Sequence, residues 1–163
     1  MKRPPFILFI CSGNTCRSVM AEHLLRKRLG EAGLSGRIES AGLWAVEGEP
    51  ASANVRAVLD RVGVGGFRHR SRRVTSGQVD EADLIVVMTE AHRQHLLARF
   101  PHAEGKVRLL KEYDSRSGGG DLVDPLGGDF ESYEAMRNEI EGALPELIIA
   151  VHELIRGREK EPS

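Results

Sequence analysis

Two cysteines and an arginine crowd into ten residues, Phe9-Ile-Cys-Ser-Gly-Asn-Thr-Cys-Arg-Ser18. A thiolate is a strong nucleophile, and a guanidinium can hold two oxygens of a tetrahedral oxyanion at once. Between Cys11 and Arg17 lie Ser12, Gly13, Asn14, Thr15 and Cys16. Their backbone N–H groups, with that of Arg17, can converge on an anion, because Gly13 and Asn14 tolerate the left-handed conformations that such convergence requires. If this loop follows a strand and opens a helix, the helix dipole lies behind the anion and stabilises a thiolate at Cys11. The chemistry this spacing suits is attack of a cysteine sulfur on phosphorus.

A phosphate ester or amide also needs its leaving group protonated, so a carboxylic acid must come from elsewhere. Asp114, Asp121 and Asp124 are the candidates, in and beside the Gly-, Ser- and Asp-rich stretch 115–128. Asp124 leads, because Pro125 stiffens the backbone after it and Gly127-Gly128 lets the loop lie close over a substrate.

Other chemistries fit less well. No Gly-Lys-Ser/Thr follows the loop and no G-x-G-x-x-G opens the helix, so it is not a nucleotide loop. The run Gly63-Val-Gly-Gly66 follows a helix and reads as a turn. Cys11 and Cys16 could join His92 and His95 on a metal, but those histidines fall on a helix with no second cysteine pair nearby, and both read as surface residues. No metal or organic cofactor is implied. Arg68-His-Arg-Ser-Arg-Arg73 reads as a solvated surface turn, and a net charge of -1 argues against gripping nucleic acid through the overall field.

The elements that must position these residues are legible in outline. Phe6 to Ile10 is an apolar run of strand length, of the kind covered on both faces. From Arg17 to about Ala32, Met20, Ala21, Leu24, Leu25 and Leu29 recur at helical spacing. A short strand at Arg37 to Ala41 closes at Gly42, and a helix from Ser52 to Val62 presents Val55, Val58 and Leu59. Leu84 to Met88 is a second buried strand, followed by a helix capped by Thr89; Val107 to Leu110 is the last strand. Phe130 to Ile155 is a long helix with Pro145 inside it, where a kink or break is expected. Strands alternating with helices predict an α/β three-layer sandwich, a four-stranded parallel sheet with helices on both faces.

The chain's 163 residues suit one domain, 1–163, with 40% apolar and 29% charged residues, as in globular proteins. The apolar runs are too short for a signal peptide or a membrane span, and two cysteines without an export signal indicate reduced thiols. A cytoplasmic protein with no membrane contact is expected, and a monomer.

Cys11-Ser-Gly-Asn-Thr-Cys-Arg-Ser18 resembles the phosphate loop of the low-molecular-weight protein tyrosine phosphatase superfamily. The likeness extends through Met20-Ala-Glu22, Glu39-Ser-Ala-Gly42, Ala82-Asp-Leu-Ile85 leading into Met88-Thr89, and Asp124-Pro125. It implies a four-stranded parallel sheet and a phosphocysteine intermediate, with Cys11 as nucleophile, Arg17 binding phosphate and Asp124 as general acid, then base. Ser18 and Ser40 match loop-supporting positions, Ser40 holding the Asn14 side chain. Within the superfamily, tyrosine phosphatases usually carry a bulky aliphatic residue at Thr15 and aromatic residues directly after Asp-Pro. The chain looks more like the protein arginine phosphatase branch, with threonine in the loop, Leu109-Leu-Lys-Glu-Tyr113 ahead of the acidic loop, and Asp124-Pro-Leu-Gly-Gly128. Leu126 departs from that branch, which usually has phenylalanine there. Thr15, Trp44, Asp124 and Leu126 are the expected pocket. Phosphorylated proteins are the expected substrates, phosphoarginine ahead of phosphotyrosine.

Arsenate reduction would need a cysteine relay, and after Cys16 the chain has no cysteine to supply one. An inert anion-binding module would be told apart by any turnover of an aryl phosphate. The pair Cys11 and Cys16 is also expected to make the protein sensitive to oxidation.

Overall fold

The computed structural model describes residues 2–162. Its centre is strand β1 (Phe6–Cys11), every residue of which is buried. Alternate side chains of a strand point to opposite faces, and here both faces are covered. Ile7, Phe9 and Cys11 enter a core layer built with helices α1 (Arg17–Glu31), α2 (Ala53–Arg61) and α5 (Phe130–Glu159). Phe6, Leu8 and Ile10 enter the opposite layer with α3 (Ser76–Glu81) and α4 (Glu90–Arg99).

Beside β1 lie β2 (Arg37–Gly42) and β3 (Leu84–Val87), with β4 (Val107–Leu109) outside β3. The order is β2-β1-β3-β4 and every pair is parallel. The chain therefore leaves β1 to one side and later returns to its other side. In open parallel sheets that reversal opens a crevice at the carboxyl ends of the strands. Cys11 is the last residue of β1, so the nucleophile candidate stands at that crevice.

Several elements depart from the sequence expectation. Helix α3 is absent from the periodicity reading, since six residues give too little repeat. Its start is fixed by a reciprocal cap: Gln78 N–H donates to Thr75 Oγ1 at 3.1 Å, and Thr75 N–H donates to Gln78 Oε1 at 3.2 Å. Two short 3-10 turns, Pro101–Lys106 and Leu110–Tyr113, flank β4. At Pro145 no break occurs, and α5 runs through it. Pro145 faces solvent, where the carbonyl of Glu141 that loses its helical donor can be hydrated, while buried Ile140, Ala143, Leu144 and Leu147 hold both flanks on the core.

Candidate active site

The loop from Cys11 to Arg17 turns through Asn14, the one non-glycine residue with positive φ among the described residues, at 56°. That strain is held by contacts from every side, which is how such conformations persist. The buried Asn14 side chain donates through Nδ2 to Ser18 Oγ at 3.0 Å and to Ser40 Oγ at 2.9 Å. Its Oδ1 accepts from Arg72 N–H at 3.1 Å, and its carbonyl oxygen lies 2.6 Å from His69 Nε2. Ser40 in turn donates to Glu22.

Residues 68–73 are therefore more than the solvated turn that their charge suggests. The arginine side chains at 68, 70, 72 and 73 are exposed, but Ser71 is buried and the backbone straps the loop from outside. Gly42, at the end of β2, lets the strands approach the loop: a Cβ there would lie 2.6 Å from the Ser12 carbonyl oxygen and 3.1 Å from Asn14 N.

The Cys11 sulfur faces two of these loop groups. Its Sγ is 2.9 Å from Ser18 Oγ and accepts from Asn14 N–H at 3.3 Å. Helix α1 starts at Arg17, so its first N–H groups point at the loop. Arg17 is itself buried; its guanidinium donates through Nη1 to the Leu122 carbonyl at 3.1 Å and pairs through Nη2 with Asp124 Oδ2 at 3.4 Å. Asp124 is two-fifths exposed, with its other oxygen accepting from Leu126 N–H at 3.0 Å.

The remaining carboxylates are engaged elsewhere. Asp121 Oδ1 accepts from Glu90 N–H at 2.9 Å at the start of α4, which fastens the acidic loop to that helix together with Leu122 N–H donating to the Met88 carbonyl. Asp114 Oδ1 accepts from Ser117 N–H at 3.3 Å and closes its own turn.

Cys11, Ser12, Gly13, Thr15, Cys16, Arg17, Trp44, Asp124 and Leu126 together line one cavity of about 220 Å³. A wider cleft between the two ends of the chain, lined by Lys2, Arg3, Asp83 and Arg158 among others, has no cysteine or serine in its lining. Trp44 is half exposed and meets His95 edge-on, ring centroids 4.8 Å apart, so it edges the cavity and is no part of the core. Leu126 is 75% exposed and walls the cavity only loosely. Cys16 is a free thiol under the loop, and burial raises its pKa above the ordinary thiol value.

One expectation for the histidines fails. His95 is exposed, but His92 is buried, its Nε2 2.9 Å from Ser12 Oγ. Burial and the nearby Arg17 charge lower its pKa to about 4. A local signal was available: Thr89 caps α4, which puts His92 in the first turn with its side chain directed back toward the preceding loops. Among the described residues no group of three or more His, Cys, Asp or Glu side chains is arranged to hold a metal ion, and no helix is long and apolar enough to cross a membrane.

Comparison with known proteins agrees with this geometry. The family model for low molecular weight phosphotyrosine protein phosphatase matches residues 6–158. A protein-arginine-phosphatase of Geobacillus stearothermophilus is 39% identical over 145 residues, covering 88% of this chain and 94% of its own. A low molecular weight protein-tyrosine-phosphatase of Streptomyces coelicolor is 37% identical over 160 residues, covering 93% and 96%. Among solved structures, a mutant of the YwlE arginine phosphatase with a phosphorylated active-site serine superposes with a TM-score of 0.85 at 33% identity, covering 96% of this chain and 99% of that one. This chain belongs to the low molecular weight phosphotyrosine protein phosphatase family.

Proposed function

We propose that this phosphatase hydrolyses phosphoarginine in proteins, with Cys11 as nucleophile, Arg17 as phosphate clamp and Asp124 as proton donor and acceptor. Cys11 sulfur attacks phosphorus, the P–N bond breaks, and Asp124 gives its proton to the departing guanidino nitrogen. A water then attacks the phosphocysteine, Asp124 takes its proton, the P–S bond breaks and inorganic phosphate leaves. Arg17 and the loop amides stabilise the equatorial oxygens in both steps. The phosphorylated active-site serine of the related YwlE mutant supports a covalent intermediate at the nucleophile position.

The choice of phosphoarginine rests on one observation. Thr15 and Asp124 share the cavity, and among the described residues Trp44 is the one aromatic that lines it. A guanidinium needs a carboxylate and a polar floor; a phenol ring gains most from apolar and aromatic walls. Overall identity does not separate the classes, since relatives named for arginine and for tyrosine phosphatase activity are 36–39% and 37% identical. The half-exposed Trp44 could stack on a tyrosine ring, which keeps phosphotyrosine as the second reading. A side-by-side assay on phosphoarginine and phosphotyrosine peptides decides between them. Phosphoarginine should give the higher kcat/KM; preference for phosphotyrosine overturns the assignment.

A further inference from the structure

The His92–Ser12 pair has no part in the mechanism above, yet it adjoins the phosphate cavity. Ser12 lines that cavity beside Cys11 and Arg17. Its hydroxyl lies 2.9 Å from His92 Nε2, across the boundary between the β1 loop and α4. The other ring nitrogen, Nδ1, is shut off from solvent and meets no hydrogen-bond partner among the described residues.

Two proton arrangements fit those distances. In one, Ser12 donates its proton to Nε2 and the imidazole proton sits on Nδ1. That leaves a buried N–H without an acceptor and uses up the serine proton. In the other, Nε2–H donates to Ser12 Oγ, and Nδ1 is left as a bare acceptor. Orphaned buried N–H donors are the rarer and costlier defect in folded proteins, so the second arrangement is favoured. It also leaves the Ser12 proton free to turn toward the cavity. The imidazole stays uncharged in either case, because burial and the charge of Arg17 outweigh Asp121 and Asp124 nearby, and His95 adds to the same side.

We propose that His92 is a positioning residue for phosphoryl transfer: its Nε2–H fixes the oxygen of Ser12 and so directs the Ser12 hydroxyl proton at the transferred phosphoryl group. Ser12 is thereby a side-chain donor to the oxyanion, added to the loop amides and Arg17. Hydrogen bonds to charged groups are stronger than neutral ones, and a fixed donor costs no reorganisation in the transition state. The inference rests on the phosphoryl-transfer reading, and a protein that turns over no aryl phosphate would count against that reading first.

The test combines spectroscopy of the unaltered protein with four variants. Long-range 15N–1H spectra at pH 7 should show His92 with the proton on Nε2. Ser12→Ala and His92→Ala should each lower kcat/KM for p-nitrophenyl phosphate roughly 10-fold or more, the size set by one hydrogen bond to a charged group. Vanadate inhibition should weaken in parallel. The double variant should lose little beyond either single one, and His92→Gln, whose amide N–H reaches the position of Nε2, should recover most of the activity. A proton found on Nδ1 overturns the proposal, and that measurement stands even if His92→Ala does not fold. So does an unchanged vanadate affinity in Ser12→Ala, or losses in the two single variants that multiply in the double one.

Discussion

Arg17 and Asp124 stand 107 positions apart in the chain and meet as an ion pair at 3.4 Å, while the same guanidinium donates to the Leu122 carbonyl at 3.1 Å. The arginine thus holds the loop that carries the proton donor. Asp124 is not the only anchor, because Asp121 and Leu122 tie the loop to α4 and to Met88. Removing the Asp124 charge should therefore change chemistry more than loop position.

Asp124→Asn isolates that chemistry. General acid catalysis typically contributes about 10²–10⁴-fold, and matters least where the leaving group departs unaided. Phosphoarginine turnover should fall about 100-fold or more, while p-nitrophenyl phosphate turnover falls only several-fold. Equal losses on the two substrates would mean that Asp124 positions the loop and donates no proton.

Gly42→Ala probes the support of the phosphate loop. The added methyl would strike the Ser12 carbonyl oxygen and crowd Asn14 N, both backbone atoms that cannot rotate away. Overpacking of this kind costs about 1–3 kcal/mol, and here the strain falls on the loop that faces phosphate. Activity and vanadate affinity should both drop, with a lower urea midpoint. A variant with native kinetics would show that the loop has more freedom than its contacts imply.

Oxidation should act through both cysteines. They are free thiols lining one cavity. Peroxide converts the Cys11 thiolate to a sulfenic acid; Cys16 sulfur then attacks it, the S–O bond breaks, water leaves and a disulfide forms. Burial keeps Cys16 protonated above the usual thiol range, so this second step should accelerate with rising pH. Mass spectrometry should find the disulfide, and dithiothreitol should restore activity. Cys16→Ser recovering as fully after the same exposure would remove its protective role.

Fold and site differ in how far local sequence determines them. Strands β1 and β3 read clearly because each lies under cover on both faces, which turns alternation into a continuous apolar run. The short α3 did not, although Thr75 and Gln78 hold the spacing of a reciprocal cap. At Pro145 the helix is not broken, because the Glu141 carbonyl left without a helical donor lies on the solvent side. In the site, Cys11 and Arg17 are near in sequence and their geometry is local. What supports the loop is not: His69 reaches Asn14 across 55 positions and His92 reaches Ser12 across 80. Spacing says nothing about such contacts, and charge alone made 68–73 look like bare surface.

Acid should destabilise the fold through two histidines. His23, stacked on Phe67, and His92 are both buried, and burial lowers the pKa of each to about 4. The unfolded chain takes up these protons near pH 6.5, so it binds more protons than the native state below that pH. Stability is then fully present above about pH 6.5 and declines as pH falls toward 4, by on the order of 3 kcal/mol for each histidine. Urea midpoints measured from pH 7.5 to 4.5 should fall accordingly, and His23→Gln should flatten the slope. A midpoint independent of pH in that window would show that the two rings take up protons as readily in the native protein as in the unfolded chain.

Substrate choice turns on Thr15. It lines the cavity beside Cys16, its Oγ1 3.8 Å from the Cys16 sulfur, in a lining that also includes Asp124 and Trp44. A β-branched residue of similar shape but larger volume and no hydroxyl would narrow the slot and remove its polar surface, which disfavours a guanidinium and favours a ring. One such steric change is worth about 1–3 kcal/mol, or roughly 10–200-fold in discrimination. Thr15→Ile should therefore move the ratio of phosphotyrosine to phosphoarginine kcat/KM upward by about that factor, with the loop amides and Arg17 still able to bind vanadate. The measurement needs both peptides on both proteins, since a loss on phosphoarginine alone could reflect general damage to the loop. If the ratio stays put while vanadate affinity is retained, Thr15 does not set specificity, and the Asp124–Leu126 side of the cavity becomes the place to look.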